Sequence, residues 1–301
     1  MNLEALLKIC ESRQIVCHTE EPMAKHTTFR IGGPCRALVE INSTDDCIAI
    51  SELLKKQEIP YHVIGRGSNL LVPDEGYDGV VLLYTDETVN VLGNGQIYAA
   101  AGASLKKLCV TAQAEGLSGL EFAYGIPGTV GGGVFMNAGA YDGELSNVLK
   151  TVYALDSQAK VCIFNAKDLA LSYRHSAFMD ERREDIILGA EVQLTAGDPA
   201  EIKTKMEDFL RRRQEKQPLE YPSAGSTFKR PKGSFASKLI DECGLRGKSV
   251  GGAQVSEKHA GFVINRGGAT FADVMELCRQ VREIVQKETG FVLEMEPEIL
   301  R

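Results

Sequence analysis

No apolar stretch in this chain approaches the roughly 18 residues that cross a bilayer, and the opening MNLEALLKICESRQ carries Glu4 and Glu11 where a secretory leader would be apolar. The expectation is a cytoplasmic protein that touches no membrane. CxxC pairs are absent too. Eight cysteines, at positions 10, 17, 35, 47, 109, 162, 243 and 278, are scattered with no histidine at metal-ligand spacing. In a chain of 301 residues, 44% of them apolar, no staples are needed, so the cysteines read as buried reduced thiols. The sequon Asn42-Ser43-Thr44 then carries no weight. A clustered basic face is also missing: net charge is -7, and Arg211, Arg212 and Arg213 sit among Glu207, Asp208 and Glu215. A nucleic-acid partner is excluded, and an anionic ligand must be met by a few local cations and oriented amides.

The common nucleotide and hydrolase motifs are wanting as well. GLRGKS, 244 to 249, resembles the end of a P-loop but has Glu242 where the motif needs its first glycine. No G-x-G-x-x-G follows a predicted strand, and no G-x-S-x-G elbow is present. DEGYDG, 74 to 79, lacks the later glutamate of a calcium loop, so its acids read as solvating a turn. His175 and His259 have no metal-type neighbours in sequence, so no metal site is expected. Chemistry on this chain calls for an organic cofactor.

What the chain does have is glycine in one dense run, GLSGLEFAYGIPGTVGGGVFMNAGAYDGE, 116 to 144. Glycine reaches positive φ and lets another group approach the main chain closely, and the apolar residues interleaved here are not those of a flexible linker. With HTTFRIGGP (26 to 34), VIGRGSNLL (63 to 71) and YPSAGSTFKRP (221 to 231) it forms a set of segments with small residues and available amides, interrupted by Arg66, Ser68, Asn69, Thr129 and Asn137. Such a set suits a diphosphate held by main-chain donors.

Periodicity predicts helices at 2 to 13, 44 to 56 with Thr44 as cap, 105 to 115 with Ser104 as cap and Gly116 as stop, and 235 to 243 closed by Gly244. A helix begins near Glu201 and ends by Pro218 and Pro222, and another spans 272 to 288, with Thr270 and Asp273 as a capping box and Gly290 as its stop. Strands are expected at 36 to 41 and 61 to 64, then at VVLL, QIYAAA, TVYALD, VCIF, IILGAEVQL and GFVIN. The class is α+β, with a boundary near 196 to 200.

In this order HTTFRIGGP, GRGSNLL, the Gly-rich run, SYRHSAF, AGSTFK, AQVSEKHAGFVIN and the closing EPE resemble the UDP-N-acetylenolpyruvoylglucosamine reductases over nearly the whole chain, His26 to Glu298. The resemblance implies a two-subdomain FAD-binding module of the vanillyl-alcohol-oxidase type (1–79 and 80–198) and a C-terminal α+β substrate-binding domain (199–301). It implies non-covalent FAD, held by Gly65, Arg66, Gly67, Ser68, Asn69, Leu70, Tyr124, Gly125, Ile126, Pro127, Gly128, Thr129, Gly132, Gly133, Asn137, Ala138 and Gly139. It further implies a ping-pong reaction in peptidoglycan precursor synthesis: NADPH reduces the flavin and leaves, then the enolpyruvyl ether of UDP-N-acetylglucosamine takes hydride at its terminal methylene carbon.

By the same likeness Ser226 donates the proton, and Arg174 and Glu298 hold the substrate carboxyl as the enolic intermediate forms. Glu298 must carry or share a proton there, since a bare carboxylate would repel the growing charge; Glu296 competes with it, because alternation in a strand puts both on one face. Lys216 matches a lysine that meets the diphosphate, Tyr173 and Arg230 flank matched positions, and Gln254 lies in a segment that approaches the site. Lys229, three residues past Ser226, is our own candidate for steadying the serine alkoxide. The chain looks like the family's compact form, without the stretch whose tyrosine covers the substrate, and it stops three residues after Glu298. A monomer is expected. Two other readings compete: an oxidase of the same fold, with His26 as a point for covalent flavin attachment, and a flavin or nucleotide-sugar binder without activity.

Overall fold

A serine with extended backbone starts the clearest helix of the first half. In the computed structural model, which describes residues 3–301, Ser43 (φ -147°) accepts a hydrogen bond from the Asp46 amide at 3.1 Å, and the helix Thr44–Lys56 follows. The cap is therefore Ser43; Thr44 is already inside the first turn. Asp45 and Asp46 at the start and Lys55 and Lys56 at the end suit the helix dipole, and Cys47, Ile50 and Leu54 are buried on one face. Ser104 caps Leu105–Ala114 as expected, accepting from the Lys107 amide at 3.1 Å. The first helix runs Glu4–Arg13; its expected start at residue 2 lies outside the described residues.

The chain divides into two compact units. One gathers the stretch ending at Thr19, Ala37–Gly65 and Gly79–Arg212; the other gathers Glu20–Arg36, Arg66–Asp78 and Arg213–Arg301. The first carries a five-stranded antiparallel sheet in the order Val161–Asn165, Leu149–Leu155, Ile186–Gln193, Gln96–Ala100, Val89–Gly93. Its core includes Ile97, Leu108, Val134, Val152 and Leu188. A four-stranded sheet orders Cys17–Pro22, Pro34–Ile41, Tyr77–Tyr84 and Tyr61–Ile64, the last two parallel. The class is α+β, as the sequence implies. Cys17–Pro22 and Val89–Gly93 escape sequence reading because their residues are polar or largely exposed and give no alternation.

The second unit is built on the helix Phe271–Thr289, whose Val274, Leu277, Cys278, Val281 and Val285 recur at helical spacing and are fully buried with Phe29, Leu71, Leu239 and Ile240. Thr270 and Asp273 form the expected capping box, and Gly290 ends the helix at φ +79°. Asp74 adds a second cap: its two oxygens accept the Phe271 and Ala272 amides at 2.7 and 3.0 Å. That corrects the reading of DEGYDG as a merely solvated turn, since Asp78 is also engaged, with Arg36 at 2.7 Å. A three-stranded antiparallel sheet, Ser249–Val250, Ala253–Val255 and Val263–Asn265, completes this core.

Five of the eight cysteines are buried and three partly so, all as free thiols. Among the described residues no helix is long and apolar enough to cross a membrane, and no group of three or more His, Cys, Asp or Glu is placed to hold a metal.

Candidate active site

Within the first unit the Gly-rich run folds into a short helix, Val130–Phe135, capped by Thr129, whose hydroxyl accepts from the Gly132 amide at 3.4 Å. Close packing explains the glycines. A methyl on Gly131 would press into Ala101, one on Gly133 into Leu145, and one on Gly65 into the Thr129 hydroxyl. Gly132 alone of the three helical glycines could carry a methyl at ordinary contact distance, Thr129 Oγ1 lying 3.6 Å away. The segment before the helix is pinned: the Gly128 carbonyl accepts from Leu105 at 3.1 Å, Ile126 donates to Ala123 at 3.0 Å, and Lys106 lies over the Tyr124 ring at 5.5 Å.

After the helix the chain meets the SYR turn. Ser172 and His175 exchange main-chain hydrogen bonds of 3.1 Å, so Tyr173 and Arg174 form a two-residue tip, and Arg174 takes φ +54°. A left-handed non-glycine residue costs about 1–2 kcal/mol, and such positions persist only where the surroundings over-determine them. Here three contacts do so. Ser176 Oγ donates to the Phe135 carbonyl at 2.5 Å, Asn137 Nδ2 to the Ser172 carbonyl at 2.9 Å, and Arg174 Nη2 to the Gly139 carbonyl at 3.0 Å. Asn137 Oδ1 also accepts from the Ser146 amide at 2.9 Å, so a residue expected to hold cofactor uses both ends of its buried amide on the protein. The Arg174 guanidinium lies 5.1 Å from the ring of Tyr173, which is exposed. His175 meets Asp180 at 2.6 Å and the Ala170 carbonyl at 3.1 Å, a structural role.

In the second unit AGSTFK and EPE are joined main chain to main chain. Glu296 N donates to the Thr227 carbonyl at 3.0 Å, Phe228 and Met295 bridge, and Lys229 N donates to Glu294 O at 2.8 Å. Glu298 then pairs in parallel with Leu70, its amide donating to Asn69 O at 2.9 Å, while Asn69 Nδ2 donates to Glu296 O at 3.1 Å. Ser226, Glu296 and Glu298 are thus brought together with GRGSNLL, although they are distant in sequence. Ser226 is half-buried, and its hydroxyl makes no hydrogen bond among the described residues. Lys229 is committed elsewhere: its ammonium meets Glu294 at 2.6 Å, which removes the reason to assign it to the serine alkoxide.

Gly67 is buried at φ +57°, and a methyl there would strike the His26 carbonyl. Around it, the amides of Arg66, Gly67, Ser68 and Asn69 donate to no group among the described residues. Gln254 Nε2 is held by the Gly247 carbonyl (3.2 Å) and Ser249 (3.1 Å), Arg230 lies 4.4 Å from the Phe235 ring, and Lys216 is exposed at the end of the helix Pro199–Lys216. His26 meets Glu21 at 3.0 Å, which holds that carboxyl below its ordinary range. His259 accepts from the Gly261 amide at 3.1 Å, and burial keeps its pKa below the usual imidazole value.

Residues 35–165 match the family described as "FAD binding domain", and residues 217–300 match "UDP-N-acetylenolpyruvoylglucosamine reductase, C-terminal domain". A protein named UDP-N-acetylenolpyruvoylglucosamine reductase from Caldanaerobacter subterraneus subsp. tengcongensis is 45% identical over 94% of this chain and 92% of its own length. This chain belongs to the UDP-N-acetylenolpyruvoylglucosamine reductase family. A relative of the same name from Clostridium botulinum is 46% identical over 93% of this chain and 91% of its own. The crystal structure of UDP-N-acetylenolpyruvylglucosamine reductase from Thermus caldophilus superposes with a TM-score of 0.80 at 35% identity, covering 95% of this chain and 99% of that one.

For this reductase-family chain, sequence reasoning missed Ser172, Ser176 and Ser146, which fasten the Arg174 turn through main-chain or hydroxyl groups. The signal for Ser172 and Ser176 is the polar cluster around SYRHS; Ser146, in GELSN, has none of its own, and nothing local says which oxygen each will meet.

Proposed function

We propose that the chain reduces the enolpyruvyl group of UDP-N-acetylglucosamine enolpyruvate to give UDP-N-acetylmuramate, with NADPH as reductant, in peptidoglycan precursor synthesis. The observation that carries the reading is the main-chain union of AGSTFK, EPE and the loop 66–71 in one unit, which gives Ser226 and Glu298 a common framework.

The residues fit FAD. Four consecutive amides, Arg66 to Asn69, have no acceptor within the described chain and surround a left-handed glycine, the arrangement that receives a diphosphate. Gly132 leaves the main chain bare where a cofactor needs close approach. In this reading Gly65 to Leu70, Tyr124 to Thr129, Gly132, Gly133, Ala138 and Gly139 hold it, non-covalently, while the Asn137 side chain, expected among them, is taken up by Ser172 and Ser146. Bound FAD supplies the hydride that NADPH delivers to it.

Arg174 pairs its planar fork with the substrate carboxylate, whose charge grows as hydride arrives at the terminal methylene carbon. Glu298, carrying a proton, shares in holding that carboxyl. Ser226 gives its hydroxyl proton to the carbon that bears the carboxylate, so one hydride and one proton complete the saturated product. Lys216, Tyr173, Arg230 and Gln254 meet the nucleotide sugar, with Lys229 present as the Glu294-paired cation. Residues 1–79 and 80–198 act as cofactor-holding segments and 199–301 as the substrate-holding segment, in a monomeric cytoplasmic enzyme.

An anaerobic stopped-flow trace of the flavin band tests this. Bleaching on NADPH followed by rapid recovery on the enolpyruvyl substrate is expected. Recovery with dioxygen alone would replace the reading with an oxidase, and colourless protein would remove the flavin.

A further inference from the structure

We infer that Asn137 is a positioning residue for Arg174, acting through the main chain of the SYR turn; the inference rests on the reductase reading above. Resemblance groups Asn137 with cofactor-binding positions, yet its side chain is fully buried, one end donating to Ser172 O at 2.9 Å and the other accepting from Ser146 N at 2.9 Å. Asn137 supplies the middle of three evenly stepped contacts. Residues 135, 137 and 139 meet residues 176, 172 and 174 in turn, by bonds of 2.5, 2.9 and 3.0 Å.

The first and last contacts hold the outer side of the turn and the guanidinium itself. The Asn137 contact fixes Ser172 O, which also accepts the His175 amide across the tip. That carbonyl sets the plane of the peptide entering Tyr173, and so the direction in which the Arg174 side chain leaves its left-handed backbone. Asn137 is itself left-handed, φ +46°, a conformation asparagine tolerates better than most residues. An amide of the right length, with a donor at one end and an acceptor at the other, explains why this position carries asparagine. A carboxylate at the same place would face Ser172 O with oxygen against oxygen.

The test uses the FAD-loaded protein and three variants: Asn137→Asp, which keeps size, backbone preference and the bond from Ser146; Asn137→Gly, which keeps the positive φ and removes the amide; and Arg174→Ala. Expected for both Asn137 variants are unchanged flavin content, bleaching by NADPH within about twofold of the parent, and substrate-driven recovery slowed about 10- to 100-fold, the scale of a misplaced reacting group. In the Arg174→Ala background the same substitutions should slow recovery by less than about twofold more, because the two residues act as one. Native amide exchange at Ser172 and His175 should rise in both variants, a readout independent of turnover. Lost flavin or equally slowed bleaching would make Asn137 a cofactor contact and overturn the proposal. Additive effects in the Arg174→Ala background, or unchanged amide exchange, would overturn it too. A parent enzyme that fails to recover with substrate would instead sink the reductase reading.

Discussion

Asn69 clamps the strand of Glu298 from both sides: its carbonyl accepts the Glu298 amide at 2.9 Å and its side chain donates to the Glu296 carbonyl at 3.1 Å. The loop that carries the unsatisfied amides and the strand that carries the candidate carboxylate are thus hydrogen-bonded to each other. Asn69→Ala deletes one side-chain bond, so urea unfolding should show a loss of about 1 kcal/mol, the usual net worth of such a bond. Recovery of the reduced flavin by substrate should slow more than its bleaching by NADPH. Equal slowing of the two would place Asn69 with the cofactor alone.

Ser226→Ala removes a hydroxyl and leaves the backbone pairing of AGSTFK untouched. Bleaching by NADPH should be nearly unchanged, and recovery with the enolpyruvyl substrate slowed by about 10² to 10⁴, the range for a lost general acid. Rapid-mixing traces of each half-reaction check this, and a parallel loss in both would refute the role.

Acid stability should report His62. Burial, with the Arg183 charge adding to it, pushes His62 from 6.5 down to about 4. Below its ordinary pKa the unfolded chain binds a proton that the folded chain refuses until about 4, so stability falls as pH drops through that window. His259, lowered mainly by burial, adds in the same direction. His62→Gln should flatten the decline of urea midpoints between neutral and about pH 4.5; an unaltered slope would mean that His62 is protonated in the folded protein.

Two neighbouring hydroxyls separate cap from first turn. Ser43→Ala should cost about 1 kcal/mol and Thr44→Ala less than about 0.5, by thermal or urea unfolding. A larger loss at Thr44 would move the cap back to where composition suggests it.

Where one segment suffices to state the physics, the chain is readable. The stripe from Val274 to Val285, the Thr270–Asp273 box and the Ser104 cap follow from spacing alone, because helices are local. The order of segments likewise reveals the family and the residues AGSTFK and EPE. Hidden from sequence are the pairings over distance: Leu70 with Glu298, Asp74 with the start of Phe271–Thr289, Asn137 with Ser172. Asparagine and aspartate look alike in a string whether they meet a ligand, water or a carbonyl far along the chain, and only the fold chooses among these.

Arg174 at φ +54° also warns anyone who would make this protein more heat-resistant. A left-handed arginine is where routine stabilisation begins, and glycine or asparagine there would relax the backbone. Screens that score melting temperature alone would reward that exchange, and the hardier proteins they return would have lost the guanidinium fork proposed to meet the substrate carboxylate.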